Sequence, residues 1–156
     1  MVKVADLLQK ARHRGITIAT AESCTGGMVA ASLTDVAGSS DVFDRGFVTY
    51  SNAAKMAMLG VSAATLARYG AVSEQVALEM ATGALTHSTA ALAISVTGIA
   101  GPGGSDHKPE GRVCFGLARQ GHTPTTETVE FGALGRDKVR KAARDRALLL
   151  LSQALG

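Results

Sequence analysis

Tryptophan is absent from the sequence, and only two tyrosines and four phenylalanines are present. A groove that binds single-stranded nucleic acid by stacking bases on aromatic rings is therefore not encoded. Cysteine is scarce too: Cys24 and Cys114 make neither a CxxC pair nor a metal-binding spacing, so reduced thiols and a cytoplasmic setting are expected. No long apolar run exists. The start, Met1-Val2-Lys3-Val4-Ala5-Asp6, lacks the apolar core of a secretion signal, and Leu148 to Leu151 is far too short to span a membrane. The four histidines, His13, His87, His107 and His122, show no HxxxH spacing, so no metal site is expected. Familiar nucleophile and nucleotide signatures are missing as well. There is no GxSxG and no GxGxxG, and Ser51 to Lys55 is SxxxK rather than SxxK. The run Gly98 to Ser105 has the length of a P-loop but carries Gly104 in place of its lysine.

What is present suits one globular domain over residues 1–156. Hydrophobic residues make up 46% of the chain and charged residues 19%, enough apolar surface for a real core. The net charge of +3 is concentrated: six Arg or Lys and two Asp between Arg136 and Arg146 give +4, leaving −1 for the rest. One basic helix on a near-neutral body suits a small phosphorylated ligand better than a DNA track.

Apolar periodicity divides the chain into alternating strands and helices. Val4, Leu7, Leu8 and Ala11 have helical spacing, with Gly15 as the stop. Ile16 to Ala19 reads as a buried strand, and Met28 to Leu33 as the next helix, ending near Asp35. Phe43 to Tyr50 is a second strand. Helices are expected from Ala53 to about Leu59, from Ser62 to Tyr69, and from Ser73 onward with Val76, Met80, Ala84 and His87 on the inner stripe. Ala91 to Thr97 is a third strand, apolar enough to be central. Two adjacent strands follow, Arg112–Arg119 and Thr125–Phe131, and a last helix covers Arg136–Leu155. This order predicts an α/β fold: a three-layer α/β/α sandwich around a mixed, mostly parallel sheet.

The stretch Ala21-Glu22-Ser23-Cys24-Thr25-Gly26-Gly27 stands where the first strand hands over to a helix. A hydroxyl there could attack a carbonyl beside unpaired helix N–H groups. Ser23 or Thr25 would serve equally as a plain helix cap. Cys24 competes as the nucleophile, because a helix N-terminus lowers a thiol pKa. Lys55 is the candidate base: it lies five residues after Tyr50, among Ala53, Ala54, Met56 and Met58, where desolvation would ease loss of its proton. A solvated helix lysine, and a Tyr50 that merely packs at a strand end, are the plainer alternatives. Gly98, Gly101, Gly103 and Gly104 flank a proline after the third strand, so their backbone could approach a ligand closely. Arg136 and Arg140, four apart, share a helix face and could clamp phosphate or simply face water.

Taken together, Ala21–Gly27, Tyr50-Ser51-Asn52 with Lys55, Ala71-Val72-Ser73-Glu74 and Thr97–Gly104 resemble the CinA C-terminal domain family over nearly the whole chain, from about Leu7 to Ala154. The resemblance implies a metal- and cofactor-free amidohydrolase that converts nicotinamide mononucleotide (NMN) and water to nicotinic acid mononucleotide and ammonia, in pyridine nucleotide recycling. By position, Ser23 would be the nucleophile, Lys55 the general base and Tyr50 a proton relay or positioning group. Cys24, Thr25, Gly26, the glycine loop, Arg136 and Arg140 would hold the substrate. Larger family members carry a further N-terminal domain not seen here, and Gly135 stands where the family often has Gly-Asp before the helix arginine. The competing expectations are a non-catalytic nucleotide-binding module linked to competence or DNA damage, and an amidase for another small amide. A homodimer is expected on general grounds.

Overall fold

The computed structural model describes residues 1–156. Eleven elements follow in order: α1 (Val4–Arg14), β1 (Ile18–Glu22), α2 (Met28–Thr34), β2 (Phe43–Val48), α3 (Asn52–Leu59), α4 (Ala63–Tyr69), α5 (Glu74–Thr86), β3 (Leu92–Gly98), β4 (Arg112–Arg119), β5 (Thr125–Glu130) and α6 (Arg136–Ala154), with a 3₁₀ turn at Ser39–Asp41 before β2. The strands form one sheet in the order β2-β1-β3-β4-β5. β1 pairs parallel with both β2 and β3, while β4 is antiparallel to β3 and to β5. Four strands therefore point one way and only β4 opposes them, the mixed and mostly parallel sheet expected.

Side-chain alternation explains the two outer layers. Ile18, Leu92, Ile94, Val96 and Phe115 send large side chains to one face, where α1, α2 and α6 cover them with Leu8, Leu33, Val139 and Leu151. Ala19, Ala21 and Ala93 send small ones to the other, where Leu59 of α3 and Val76, Met80 and Ala84 of α5 pack. The small-residue face lets α5 approach closely. A side chain at Gly116 would collide with the Ala77 carbonyl, and the buried Ser95 hydroxyl donates to that same carbonyl at 2.6 Å. Gly83 is required for the same reason, since a Cβ there would strike the Leu59 carbonyl of α3.

Three local expectations are corrected. β1 begins at Ile18 rather than Ile16, because the Ile16 N–H closes the end of α1 on the Ala11 carbonyl at 2.9 Å, with Gly15 left-handed at φ 64°. β1 also runs on to Glu22, past Ala19. β2 stops at Val48, so Tyr50 lies beyond the strand and is 60% exposed. His87 is not on the inner stripe of α5: it caps the helix end, exposed, with Nδ1 2.8 Å from the Gly83 carbonyl.

The path of the chain creates a crevice. From β1 it runs through α2 to β2 at the sheet edge. It then returns through α3, α4 and α5, on the opposite face, to β3 on the other side of β1. The connections diverge between β1 and β3, and open α/β sheets bind ligands beyond the C-terminal ends of strands at such a point.

Candidate active site

Three loops meet at that crevice, one from the end of each of β1, β2 and β3. The Ser23 N–H donates to the Val96 carbonyl of β3 at 2.9 Å, and the Thr49 N–H donates to the Glu22 carbonyl of β1 at 2.9 Å. These bonds continue the sheet pairing one residue past the strands and hold the loops side by side. Between them lies a cavity of about 340 Å³.

At its floor Lys55 projects from the first turn of α3. Ser51 starts that helix by accepting from the Ala54 N–H at 3.0 Å. The lysine is only 1% exposed, one of the largest side chains so fully buried. Its Nζ is 3.0 Å from Ser23 Oγ, 2.9 Å from the Thr49 carbonyl and 3.5 Å from the Tyr50 carbonyl. Six ion pairs occur in the protein and Lys55 is in none of them. Burial therefore holds its ammonium below the usual lysine range, against a smaller opposing pull from Cys24. A neutral amine fits these neighbours: two N–H groups face the two carbonyls and the lone pair faces the serine hydroxyl.

Cys24 lines the same cavity, but burial pushes its thiol up to about 12, and the charge of Glu22 adds to the effect. A thiol so disposed stays protonated at neutral pH and is a poor nucleophile. Of the two adjacent candidates, only Ser23 has a base within hydrogen-bond reach.

The donors expected to face an anion at the start of α2 are already occupied. Glu22, fully buried, accepts from the Val29 N–H at 2.9 Å, the Ala30 N–H at 3.0 Å and the Thr25 hydroxyl at 2.6 Å. Neither Ser23 nor Thr25 caps the helix, and Gly27 at the cap position has no side chain to do so. The sequence reading gave Glu22 no role. Its signal was an acid buried in an apolar strand just ahead of a helix with no Ser, Asp or Asn at its own start. Glu22→Gln should lower the free energy of unfolding by about 1–3 kcal/mol, because an amide turned towards these three donors leaves at least one unpaired. An unchanged urea midpoint in the variant would contradict this. The N–H groups of Cys24 and Thr25, by contrast, have no acceptor in the protein.

The glycine loop forms the opposite wall. Gly98, Gly101, Gly103 and Gly104 all line the cavity. Gly101 sits at φ 92°, where any Cβ would overlap the Glu110 carboxyl group. Glu110 shapes the loop by accepting from the Gly103 N–H at 2.7 Å and the Gly135 N–H at 3.2 Å. Lys108 pins the next segment against the α4–α5 connection, donating to the Tyr69 and Val72 carbonyls at 2.6 Å each.

Of the residues singled out from sequence, Ser23, Cys24, Tyr50, Lys55, the four loop glycines and Arg136 share this cavity; Thr25, Gly26 and Arg140 do not. Thr25 turns its hydroxyl inward to Glu22. Gly26 backs onto Arg140, whose Nη2 would be 3.3 Å from a Cβ placed there. Arg140 spends its guanidinium on the loop itself, with Nε donating to the Cys24 carbonyl at 3.0 Å and Nη2 to the Thr25 carbonyl at 3.3 Å. The phosphate clamp expected of Arg136 and Arg140 as a pair is thus not formed. Arg136 alone reaches the mouth, donating to the Gly101 carbonyl at 2.7 Å and to the Tyr50 hydroxyl at 2.6 Å. The Tyr50 phenol is bonded to that arginine and to neither Ser23 nor Lys55, so it is not placed as a relay between them. Asn52, part of the Tyr50-Ser51-Asn52 motif but given no role, and Lys108, which was not singled out, also line the cavity. No three His, Cys, Asp or Glu side chains gather as a metal-binding group, and no helix is long and apolar enough to cross a membrane.

Fold and site together define the class: an α/β/α domain with a buried serine–lysine pair at the switch point of its sheet. The chain belongs to the CinA C-terminal domain family, whose model matches residues 2–155. It is 53% identical over 146 residues to the nicotinamide-nucleotide amidohydrolase PncC of Escherichia coli K12, covering 93% of this chain and 88% of that one. It is 51% identical over 157 residues to a CinA-like protein of Chlorobium phaeobacteroides; that alignment covers 97% of this chain but only 36% of the longer protein. The crystal structure of the competence/damage inducible protein CihA from Agrobacterium tumefaciens superposes with a TM-score of 0.93 at 47% identity, over 97% of this chain and 92% of that one.

Proposed function

We propose that the chain is a single amidohydrolase domain that deamidates nicotinamide mononucleotide by a serine–lysine mechanism. The observation that carries this reading is the buried Lys55 Nζ, 3.0 Å from Ser23 Oγ and without a carboxylate partner. Similarity to stand-alone nicotinamide-nucleotide amidohydrolases at 53% identity supports the substrate.

In the first half-reaction Lys55 takes the proton of Ser23 as Oγ attacks the carboxamide carbon. The oxyanion that forms is met by the unpaired N–H group of Cys24, which lines the cavity. Lys55 then returns the proton to the departing nitrogen, the C–N bond breaks and ammonia leaves an acyl-serine. In the second half-reaction water gives its proton to Lys55 and attacks the ester carbonyl. Collapse expels Ser23, reprotonated by Lys55, and releases nicotinic acid mononucleotide. Arg136 and the glycine loop, at the mouth, hold the phosphate and ribose. Recycling of pyridine nucleotides in the cytoplasm is the setting this chemistry suits.

Purified protein should release ammonia from NMN with no added metal, and much more slowly from nicotinamide or NAD. Binding of NMN without ammonia release would leave only a nucleotide-binding module; release from another small amide in preference would change the substrate. The pH profile tests the base. Only the neutral amine accepts a proton, so kcat/KM should climb with pH and level off above the Lys55 pKa, at a pH below the ordinary lysine value of 10.5. A rate flat from pH 5 to 9 would contradict proton transfer to this amine as the limiting step.

A further inference from the structure

Tyr50 is 60% exposed, yet the tip of its ring is fixed. The phenol oxygen accepts from Arg136 Nη2 at 2.6 Å, and Nη1 of the same guanidinium donates to the Gly101 carbonyl at 2.7 Å. One side chain from the first turn of α6 therefore ties together the loops that follow β2 and β3. Tyr50, Gly101 and Arg136 all line the cavity. Both acceptors are neutral oxygens, and none of the six ion pairs includes Arg136. Its charge is held in place without being cancelled. A guanidinium has five N–H groups, so three remain for an anion. An exposed arginine left to rotate would lose its side-chain freedom on binding a ligand; one already pinned has less to lose. The phenol takes no part at the floor of the cavity. There Tyr50 contributes only its backbone carbonyl, 3.5 Å from Lys55 Nζ.

We propose that Tyr50 is a positioning residue for substrate binding: its phenol holds the Arg136 guanidinium at the mouth of the cavity, where that cation meets the phosphate of the nucleotide. The proposal rests on the reading of Arg136 as a phosphate ligand given above. It assigns Tyr50 to affinity for the nucleotide and not to proton transfer at Ser23. Phenylalanine would keep the ring and free the guanidinium, and the backbone contacts of Tyr50 would be untouched. Because the side chain is exposed, the substitution leaves no cavity in the core.

The test compares wild type, Tyr50→Phe, Arg136→Ala and the double variant by ammonia release from NMN and from its dephosphorylated riboside. KM for NMN should rise by about 3- to 10-fold in Tyr50→Phe and by about 10- to 100-fold in Arg136→Ala. In both, kcat should stay within about twofold and the pH profile should not shift, because neither group moves a proton. KM for the riboside should not change, so the preference for nucleotide falls. The double variant should match Arg136→Ala, since a phenol with no guanidinium to hold has no further effect. A kcat loss in Tyr50→Phe on both substrates, with a shifted pH profile, would put the phenol in proton transfer and overturn the proposal. So would effects that multiply in the double variant, or an unchanged KM in Tyr50→Phe. A wild type that releases no ammonia removes the amidohydrolase reading by itself. The same split between nucleotide and riboside, read as Kd by calorimetry on the Ser23→Ala background, then decides the role of Tyr50.

Discussion

Ser23→Ala should reduce NMN hydrolysis by at least about 10³-fold while leaving the fold and NMN binding nearly unchanged. The substitution removes one hydroxyl. The loop is held by the Ser23 N–H on the Val96 carbonyl and by the Gly26 N–H on the Ser23 carbonyl, and both bonds belong to the backbone. Cys24 cannot take over. With its thiol pushed up to about 12, only about one molecule in 10⁴ carries the thiolate at pH 8. Cys24→Ala should accordingly keep most of its activity. Wild-type enzyme quenched during turnover should carry the substrate's acyl group on the peptide containing Ser23. Full activity in Ser23→Ala, or label on Cys24, would refute the assignment of the nucleophile.

Lys55→Met should abolish turnover to a similar extent, by about 10³-fold, since it removes the only base in contact with Ser23. Its effect on stability should have the opposite sign, and pH sets its size. In the unfolded chain Lys55 keeps its proton up to about 10.5, whereas burial lowers its pKa in the folded protein. Between these two values the unfolded state binds more protons, so the stability of wild type rises with pH across that window. Below it, both states are charged and the folded protein bears the whole penalty of a desolvated ammonium. Methionine, of similar length, carries no such term. The melting temperature of Lys55→Met relative to wild type should therefore be highest at low pH and should decline as pH rises towards 10.5. A variant less stable than wild type by the same amount at every pH would show that Lys55 is folded in at no electrostatic cost, and the neutral-base mechanism would lose its basis. Lysine retained at a position where a thioether would be more stable is the mark of a functional constraint.

Much of the frame was legible in the chain because it is local. Helix spacing at Val4, Leu7, Leu8 and Ala11, and the apolar β-branched runs of the strands, depend on short-range periodicity alone. The boundary errors arose where tertiary hydrogen bonds overrode that pattern. Ile16 is as apolar as any strand residue, but its N–H is needed to close α1. Tyr50 is β-prone, yet the chain must leave the sheet before it so that Ser51 can start the helix carrying Lys55.

The site residues divide in the same way. Ser23, Lys55 and the loop glycines stood out because their types are unusual for their places: a hydroxyl in a Gly-rich turn, a cation among apolar neighbours, a run of glycines after a buried strand. Glu22 and Arg140 were misjudged because their partners lie across space. An arginine four residues from another reads as half of a phosphate clamp, and nothing in its neighbourhood reveals that residues 116 and 115 positions earlier supply its acceptors.

By itself, then, the sequence determined the layered fold class and the chemical inventory, since apolar period and residue type are properties of short segments. Only the tertiary structure decided which groups are partners and which are free. Strand order brings the β1 and β3 loops to one crevice. Burial on α3 puts Lys55 against Ser23, and Glu22 and Arg140 are satisfied internally while the Cys24 and Thr25 N–H groups are not. Hydrogen-bond satisfaction and desolvation are set by what surrounds a group in three dimensions, and that is fixed only when distant segments of the chain pack together.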